Sequence, residues 1–257
     1  MKYYLSIDVG TTNWKAAVYN ETGKLIVIER TPTQTHTDAD GYSIYKPDDM
    51  WNEVCKLCRN VTAKSAVEIA GVSVTSIAEA VVPIDKNGKP AGDIITWFDT
   101  RSMKQAQEMK KRFGEEKLYE ITGLDVNPIF SLFKILWIRE NKPEIYEKAY
   151  KWLQMSDYIL FCLSGEFVTD YTLASRTMAF NVKENKWSKE ILNAVDVPVS
   201  VFPQICESGT VIGTISDTVS ALTGITKGAK VVVGGNDHPC ASIAVGVLSG
   251  NKMLFLT

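Results

Sequence analysis

The stretch Leu5-Ser-Ile-Asp-Val-Gly-Thr-Thr-Asn-Trp-Lys-Ala-Ala-Val-Tyr19 decides the fold of this chain. An apolar strand ends at the carboxylate of Asp8, a Gly-Thr-Thr turn follows, and a second strand with alternating polarity leaves at Trp14. Such a turn points backbone N–H groups and two hydroxyls into one small space, beside a carboxylate that can hold a hydrated divalent cation. The pattern indicates either a turn that binds the terminal phosphates of a nucleotide or a β-hairpin whose turn simply contains Gly and Thr, and the residues alone do not decide between the two. It is not a Walker loop, because no helix follows the glycine.

Composition narrows the class of protein. The chain has 257 residues, of which 45% are hydrophobic and 23% charged, and its net charge is −2. This length allows one large domain or two small ones. The sequence has no basic run, so nucleic acid is not an expected partner. It also has no apolar run near the roughly 18 residues that span a bilayer, and no signal peptide at its start. We therefore expect a cytosolic protein that binds neither nucleic acid nor a membrane.

The five cysteines are too few and too scattered for a disulfide framework. Cys55 and Cys58 have CxxC spacing, which is typical of redox and zinc sites. Together with Trp51, Val54 and Val61, however, they follow the spacing of one apolar helix stripe. The pattern favours buried structural thiols, because no second ligand pair completes a metal site.

Periodicity and turn signals predict an α/β domain with a mixed, partly antiparallel β-sheet flanked by helices. The predicted strands are 2–8, 14–20, 24–30, 68–75, 79–85, 94–97 and 230–233. The predicted helices are 47–64, 101–112, 115–121, 131–141, 143–149, 155–163, 188–195 and 239–248. Segment 31–46 is expected to be a loop and segment 164–188 a turn-rich region with short strands. Gly234-Gly235 is expected to break the last strand before Pro239 opens the final helix.

The second informative segment is Val231-Val-Val-Gly-Gly-Asn-Asp-His-Pro-Cys240. An apolar strand ends in two glycines, and the carboxylate of Asp237 follows just ahead of a helix. In open α/β folds the carboxyl ends of strands line the ligand crevice, and a carboxylate there can take a proton from a hydroxyl nucleophile. The alternative is that Asp237 and His238 merely cap the helix.

With these segments in view, the chain resembles the N-terminal domain of the FGGY family of carbohydrate kinases, which share the actin-like ATPase (ribonuclease H-like) fold. Segment 8–15 resembles the family's first phosphate motif, and segment 131–141 resembles its first signature. Segments 157–158, 163–166, 169–171 and 174–175 match the stretch that follows. Gly234-Gly-Asn-Asp237 with Gly246 resembles the motif of the catalytic base. The matches follow the family's order across nearly all of the chain.

The resemblance implies that the protein phosphorylates a sugar or polyol hydroxyl with ATP and Mg²⁺. It implies that Asp237 is the general base and that Asp8 holds Mg²⁺ through water. The residues that it implies for nucleotide binding are Asp8, Gly10, Thr11, Thr12, Asn13 and Lys15. Phosphoryl transfer needs alignment and charge neutralisation more than covalent chemistry, so this division of labour between two carboxylates is physically reasonable.

The substrate segment departs from the family pattern. Pentulose kinases carry Gln-Met-His and glycerol kinases carry Arg-Glu where this chain has Ile77-Ala78-Glu79. Ile129 stands where glycerol kinases of the family place a substrate-binding tyrosine, which weakens a glycerol assignment further. The substrate residues that the resemblance implies are Ala78, Glu79, Trp97, Asp99 and Arg101. An aromatic face against sugar C–H groups and carboxylates on hydroxyls would make a polyol site. The alternatives are a core tryptophan and a turn held by an Asp–Arg ion pair.

Members of the family continue into a second domain that carries the adenine site. We therefore expect residues 1–246 to be the N-terminal, sugar-binding domain and 247–257 to be the start of a C-terminal, ATP-binding domain that is otherwise absent. On this expectation the chain alone has little kinase activity. An unpaired strand edge is expected after Gly246, and such an edge can pair with a second copy of the chain to form a homodimer. Two rival functions are a non-catalytic sugar-binding module and another actin-like ATPase, such as a chaperone-type ATPase.

Overall fold

The computed structural model describes residues 1–247. Its strands are β1 Tyr3–Val9, β2 Asn13–Asn20, β3 Leu25–Pro32, β4 His36–Thr37, β5 Ser43–Tyr45, β6 Ile69–Ser76, β7 Val81–Ile84, β8 Ile94–Ile95, β9 Lys151–Gln154, β10 Val168–Asp170, β11 Phe180–Asn181, β12 Lys186–Trp187, β13 Gln204–Cys206, β14 Val211–Thr214 and β15 Lys230–Asn236. Its α-helices are α1 Pro47–Ser65, α2 Met103–Phe113, α3 Glu115–Thr122, α4 Ser131–Asn141, α5 Pro143–Lys148, α6 Met155–Ser164, α7 Tyr171–Ala174, α8 Lys189–Ala194, α9 Asp217–Thr223 and α10 Asp237–Ala244. Short 3₁₀ helices cover Ser175–Thr177 and Val199–Val201.

A six-stranded sheet in the order β14-β15-β6-β1-β2-β3 organises the domain. β1, β2 and β3 are joined antiparallel, as expected for consecutive hairpins. β6 lies parallel to both β1 and β15, whereas the edge strand β14 runs antiparallel to β15. The predicted mixed sheet is therefore confirmed. Its three central parallel strands, β15, β6 and β1, all end at one edge.

Helix α1 covers the hairpin side of the sheet. It begins with Pro47 in its first turn, and its C-cap is Ala66, which has a left-handed φ of 50°. Its buried stripe contains Cys55 and Cys58, as the spacing predicted. Burial raises the pKa of the Cys55 thiol to about 11. A thiol that resists ionisation is a poor nucleophile, so these cysteines act as packing residues.

A second hydrophobic cluster forms around α4. Phe133, Ile135 and Leu136 of this helix are buried among side chains of α2, α3 and α8. Lys134 is as deeply buried as they are, with none of its surface exposed. Its ammonium group binds three backbone carbonyls beside the candidate site described below.

Two predictions at the end of the chain were wrong in detail. β15 does not break at Gly234-Gly235 but continues to Asn236, with only a register shift relative to β6. The glycines are needed for close packing, since a Cβ at Gly234 would lie 2.0 Å from the carbonyl oxygen of Val74. Helix α10 starts at Asp237 rather than at Pro239. The predicted helix end at Leu248 lies outside the described residues, as does nearly all of segment 247–257.

Several elements lack a clear sequence signal. Segment 31–46 contains the short strands β4 and β5, and segment 164–188 contains the short helix α7. The strands β9, β13 and β14 and the helix α9 were not predicted. Within residues 1–247, none of the helices is long and apolar enough to cross a membrane.

Candidate active site

The site forms where the three central parallel strands end. Asp8 on β1 is paired with Thr75 on β6, and Thr75 is paired on its other side with Gly235 on β15. Because parallel strands present their carboxyl ends at the same edge, the segments after β1, β6 and β15 lie next to one another. Asp8, the Ile77–Glu79 segment and Asp237 are therefore brought together from distant parts of the sequence.

A cavity of about 690 Å³ opens at this edge. Its lining residues are Thr11, Ile77, Ala78, Glu79, Trp97, Ile129, Thr172, Ser175, Arg176, Asn236, Asp237, His238 and Pro239. The predicted site residues Thr11, Ala78, Glu79, Trp97 and Asp237 are thus brought together in one cavity. Asp8, Gly10, Thr12, Asn13 and Lys15 are not among its lining residues, but they belong to the β1–β2 hairpin that carries Thr11.

Hydrogen bonds from two sides hold the turn between β1 and β2. Thr33 donates its hydroxyl to the carbonyl of Gly10 (2.8 Å) and its backbone N–H to the carbonyl of Thr12 (3.0 Å). On the cavity side, the indole Nε1 of Trp97 donates to Oγ1 of Thr11 at 2.9 Å. The turn is therefore fixed relative to the segment that carries Trp97.

The turn suits a phosphate with a hydrated cation. A Cβ at Gly10 would lie 3.0 Å from the carbonyl oxygen of Asn13 and 3.6 Å from Oδ1 of Asp8, so glycine keeps this space open. The Asp8 side chain is 30% exposed, and its Oδ2 accepts a hydrogen bond from Lys15 Nζ at 2.8 Å. No group of three acidic, histidine or cysteine side chains that could hold a metal is found in the described part of the chain. Mg²⁺ often binds through one carboxylate, several waters and substrate phosphates, and this donor set fits that mode.

Asp237 is the first residue of α10 and lines the cavity. The N-cap is the preceding Asn236, whose side chain accepts a hydrogen bond from His238 N at 3.2 Å. Asp237 Oδ1 accepts from the same N–H at 2.8 Å. The capping role is thus shared between the two side chains. Burial raises the pKa of the Asp237 carboxyl, His238 opposes the rise, and the charge of Asp8 adds to it. A carboxylate with a raised pKa is a better proton acceptor.

Glu79 occupies the wall of the cavity in a strained backbone conformation. It is 7% exposed, and its φ of 68° is unusual for a residue with a side chain. Its Oε1 accepts a hydrogen bond from Nε of Arg176 at 2.6 Å and lies 2.6 Å from Nη2 of the same guanidinium as an ion pair. The Arg176 guanidinium lies 5.1 Å from the centre of the Phe130 ring. Backbone strain of this kind persists only where the surroundings hold it, and it is common at functional sites.

Lys134 supplies part of that support. Its ammonium donates to the backbone carbonyls of Glu79 (3.1 Å), Thr96 (2.8 Å) and Trp97 (3.1 Å). Three acceptors match the three protons of a charged ammonium group. Burial nevertheless lowers the pKa of this amine to about 7. Lys134 thus joins the two segments that present Glu79 and Trp97 to the cavity.

Asp99 and Arg101 lie outside the cavity. The Arg101 guanidinium pairs with Asp99 at 2.8 Å and with Asp38 at 3.2 Å, and the Arg101 side chain is only 2% exposed. It also lies 4.1 Å from the centre of the Tyr42 ring. The alternative stated for these residues, a turn held by an ion pair, describes this arrangement. They brace the turn after Trp97 rather than line the cavity.

The sequence analysis did not predict five polar lining residues: Thr172, Ser175, Arg176, Asn236 and His238. Thr172 Oγ1 accepts a hydrogen bond from Asn236 N at 2.8 Å and donates to Asp170 at 2.7 Å. Asp170 caps α7 by accepting from two backbone N–H groups of that helix. An Asp-x-Thr pattern is a recognisable start of a short helix, but it gives no indication that the helix reaches β15.

Comparisons with known proteins show which family the chain matches. A model described as the FGGY family of carbohydrate kinases, N-terminal domain, matches residues 3–244. The chain is 30% identical to a xylulose kinase of Bacillus subtilis (strain 168), with 99% of this chain and 51% of that protein covered. It is 33% identical to a glycerol kinase of Thermococcus kodakarensis, with 82% of this chain and 44% of that protein covered.

A solved gluconate kinase from Lactobacillus acidophilus superposes with a TM-score of 0.89 at 27% identity, over 95% of this chain and 50% of that one. The chain thus spans about half the length of the curated relatives that it matches. These likenesses confirm the predicted fold class, an actin-like ATPase domain.

Proposed function

The chain belongs to the FGGY family of carbohydrate kinases, and from that membership we propose that its cavity binds a sugar or polyol and positions one hydroxyl for phosphorylation by ATP. The observation that carries the proposal is the meeting of Asp237, the Glu79 segment and the Asp8 turn at one edge of the sheet. A cavity with a few convergent polar groups and a carboxyl of raised pKa is the usual form of an active site.

Asp237 is proposed as the general base. Its carboxylate accepts the proton of the substrate hydroxyl while that oxygen bonds to the γ-phosphorus of ATP and ADP departs. The raised pKa of Asp237 supports this role, since a more basic carboxylate holds the proton better during transfer. Neighbouring His238 is 69% exposed at its side chain and is not needed for this step.

The β1–β2 turn is proposed to hold the phosphates of ATP. Backbone N–H groups from Gly10 to Asn13 and the hydroxyls of Thr11 and Thr12 would contact the γ-phosphate, with Lys15 close by. Asp8 would hold Mg²⁺ through water, and that ion, when bound, neutralises charge on the phosphates. Lys15 already orients Asp8 through their 2.8 Å hydrogen bond. We place this reaction in the cytosol.

The sugar is proposed to lie against Trp97, Ala78 and Glu79. The Trp97 ring offers an apolar face to sugar C–H groups, and its Nε1 is already bonded to Thr11. Asp99 and Arg101 are not part of the proposed contact surface, because they satisfy each other away from the cavity.

The test uses the Asp237→Asn variant with two separate readouts. A thermal-shift screen of the 257-residue chain against ketoses, aldoses and polyols should give a ligand that raises Tm. Asn keeps the size of Asp237, so the variant should bind that ligand about as well as the parent chain. In a form of the protein that phosphorylates the same ligand, the variant should lose activity by roughly 10²-fold or more, the usual contribution of a general base.

Two results would contradict this proposal. If the Asp237→Asn variant keeps its activity, Asp237 is not the general base. A well-folded chain that binds none of the sugars would remove the assigned sugar site. Saturable sugar binding without any phosphorylation in any form of the protein would instead favour a sugar-binding module.

A further inference from the structure

The ionisable side chains that line the cavity are Glu79, Arg176, Asp237 and His238. Arg176 is the strongest cation among them, because a guanidinium stays protonated at all ordinary pH values. Left unpaired, it would be an effective partner for a carboxylate, which it can bind through two parallel hydrogen bonds. Whether it is free for such a partner therefore decides which substrates the cavity accepts.

Arg176 is already paired. Its Nε donates a hydrogen bond to Oε1 of Glu79 at 2.6 Å, and its Nη2 lies 2.6 Å from the same oxygen as an ion pair. The Glu79 side chain is only 9% exposed, which limits the access of water and salt to its end of the pair, whereas the Arg176 side chain is 38% exposed and faces the cavity. Lys134 holds the backbone carbonyl of Glu79, and stacking on Phe130 limits the movement of Arg176. Each partner is thus held in place by a contact outside the pair.

The charges of Glu79 and Arg176 cancel, so the acidic group that remains in the cavity lining is Asp237, with His238 Nε2 at 3.9 Å from its Oδ1. A substrate carboxylate entering here would be repelled by Asp237 and would have to displace Glu79 from Arg176. Neutral hydroxyls meet no such penalty. Either oxygen of Glu79 can accept a hydrogen bond from them.

We propose that the Glu79–Arg176 ion pair makes the cavity selective for uncharged sugars and polyols over sugar acids. The inference rests on the proposed function and refines its substrate class. The relatives named above include kinases for both kinds of substrate, since gluconate carries a carboxylate and xylulose and glycerol do not. The pair is a specificity-determining feature and takes no part in the proton transfer.

The experiment compares acids with neutral polyols of the same length. The probes are D-gluconate with sorbitol and D-xylonate with xylitol, each pair differing by a carboxylate in place of a terminal CH₂OH. The neutral sugar that best raises Tm in the screen is included. Dissociation constants are measured by calorimetry at pH 8. The proteins are the parent chain, Glu79→Gln and the double variant Glu79→Gln/Arg176→Met.

The parent chain should bind the neutral member of a pair and bind the acid at least about tenfold more weakly. Glu79→Gln preserves the shape of the side chain but removes the negative charge that neutralises the guanidinium, so the acid should bind on the order of tenfold more tightly, as expected for one charge-assisted hydrogen bond. The double variant lacks the cation and should lose this gain. Circular dichroism and Tm verify that each variant is folded.

The possible failures are distinguishable. If the parent chain binds a neutral sugar but binds the matching acid equally well, the inference is wrong while the proposed function stands. The same holds if Glu79→Gln gains no affinity for acids, or if the double variant keeps the gain. If no probe or sugar binds to any of the three folded proteins, the proposed function fails and this inference fails with it.

Discussion

At the scale of single residues, Asp157 shows how burial sets the chemistry of a side chain. It is 1% exposed, and its Oδ2 accepts a hydrogen bond from the backbone N–H of Gln154 at 3.0 Å. Oε1 of the neighbouring Gln154 has no hydrogen-bond partner among the described residues. Burial raises the pKa of the Asp157 carboxyl to about 8; the interactions with Gln154 N–H and Thr169 oppose the rise, and the charge of Asp170 adds to it.

This pKa predicts a pH-dependent stability. Between about pH 4 and pH 8 the folded protein keeps a proton on Asp157 that the unfolded chain releases, so the free energy of unfolding falls as pH rises. Asp157→Asn removes this titration and keeps an acceptor for Gln154 N–H. It should reduce the loss of stability between pH 4 and pH 8 by at least about 1.4 kcal/mol, the equivalent of one pKa unit. Urea unfolding of both proteins across this range provides the measurement, and identical pH profiles would contradict the assignment.

At the scale of elements, β15 depends on the closeness of its approach to β6. The position of a Cβ at Gly234 would be 2.0 Å from the carbonyl oxygen of Val74 and 3.0 Å from Oγ of Ser73. No side chain fits there without moving the strand. The strand in turn carries Asn236 and leads into Asp237, so its position sets the position of the proposed base.

Gly234→Ala should therefore destabilise the protein by about 3 kcal/mol, the upper range for overpacking a core. Gly213→Ala in the neighbouring strand β14 is the matched control. Its Cβ would lie 3.4 Å from the Cβ of Ser164, an ordinary contact, and its φ is not in the left-handed region. Chemical denaturation should show a much smaller change for this control. Equal losses in the two variants would argue against the close approach at Gly234.

At the scale of the whole molecule, the cavity lies where two hydrophobic clusters meet. One surrounds the six-stranded sheet, and the other surrounds α4. Lys134 belongs to α4, yet its ammonium binds the carbonyl of Glu79, which follows β6 of the sheet. The buried lysine therefore connects the two clusters at the cavity wall.

Replacing Lys134 by Met should lower the free energy of unfolding by about 1–3 kcal/mol, because buried carbonyls then lose their donor. Lys104→Met, at an exposed lysine paired with Glu140, is the control and should have little effect. Thermal unfolding and urea titration measure both. A Lys134→Met protein as stable as its parent would show that the three carbonyls find other donors.

The sequence alone was sufficient where the evidence is local. The β1–β2 hairpin and the apolar stripe of α1 are encoded by neighbouring residues, and the structure places them as predicted. The strand that begins at Lys230 was also predicted, but it continues through the two glycines to Asn236 instead of breaking there. The order of the motifs along the chain also identified the family, which the family model confirms. The roles of the individual site residues stay predictions.

Only the tertiary structure decided how these pieces meet. The partner of Glu79 is Arg176, the partners of Lys134 are three carbonyls, and the partners of Arg101 are Asp99 and Asp38. Nearly all of these contacts join residues that are far apart in the chain. They depend on the order of the strands and on the close packing of β15, neither of which leaves a periodic or compositional pattern in the sequence. For that physical reason the charge balance of the cavity, and the substrate class proposed from it, could be read only from the folded molecule.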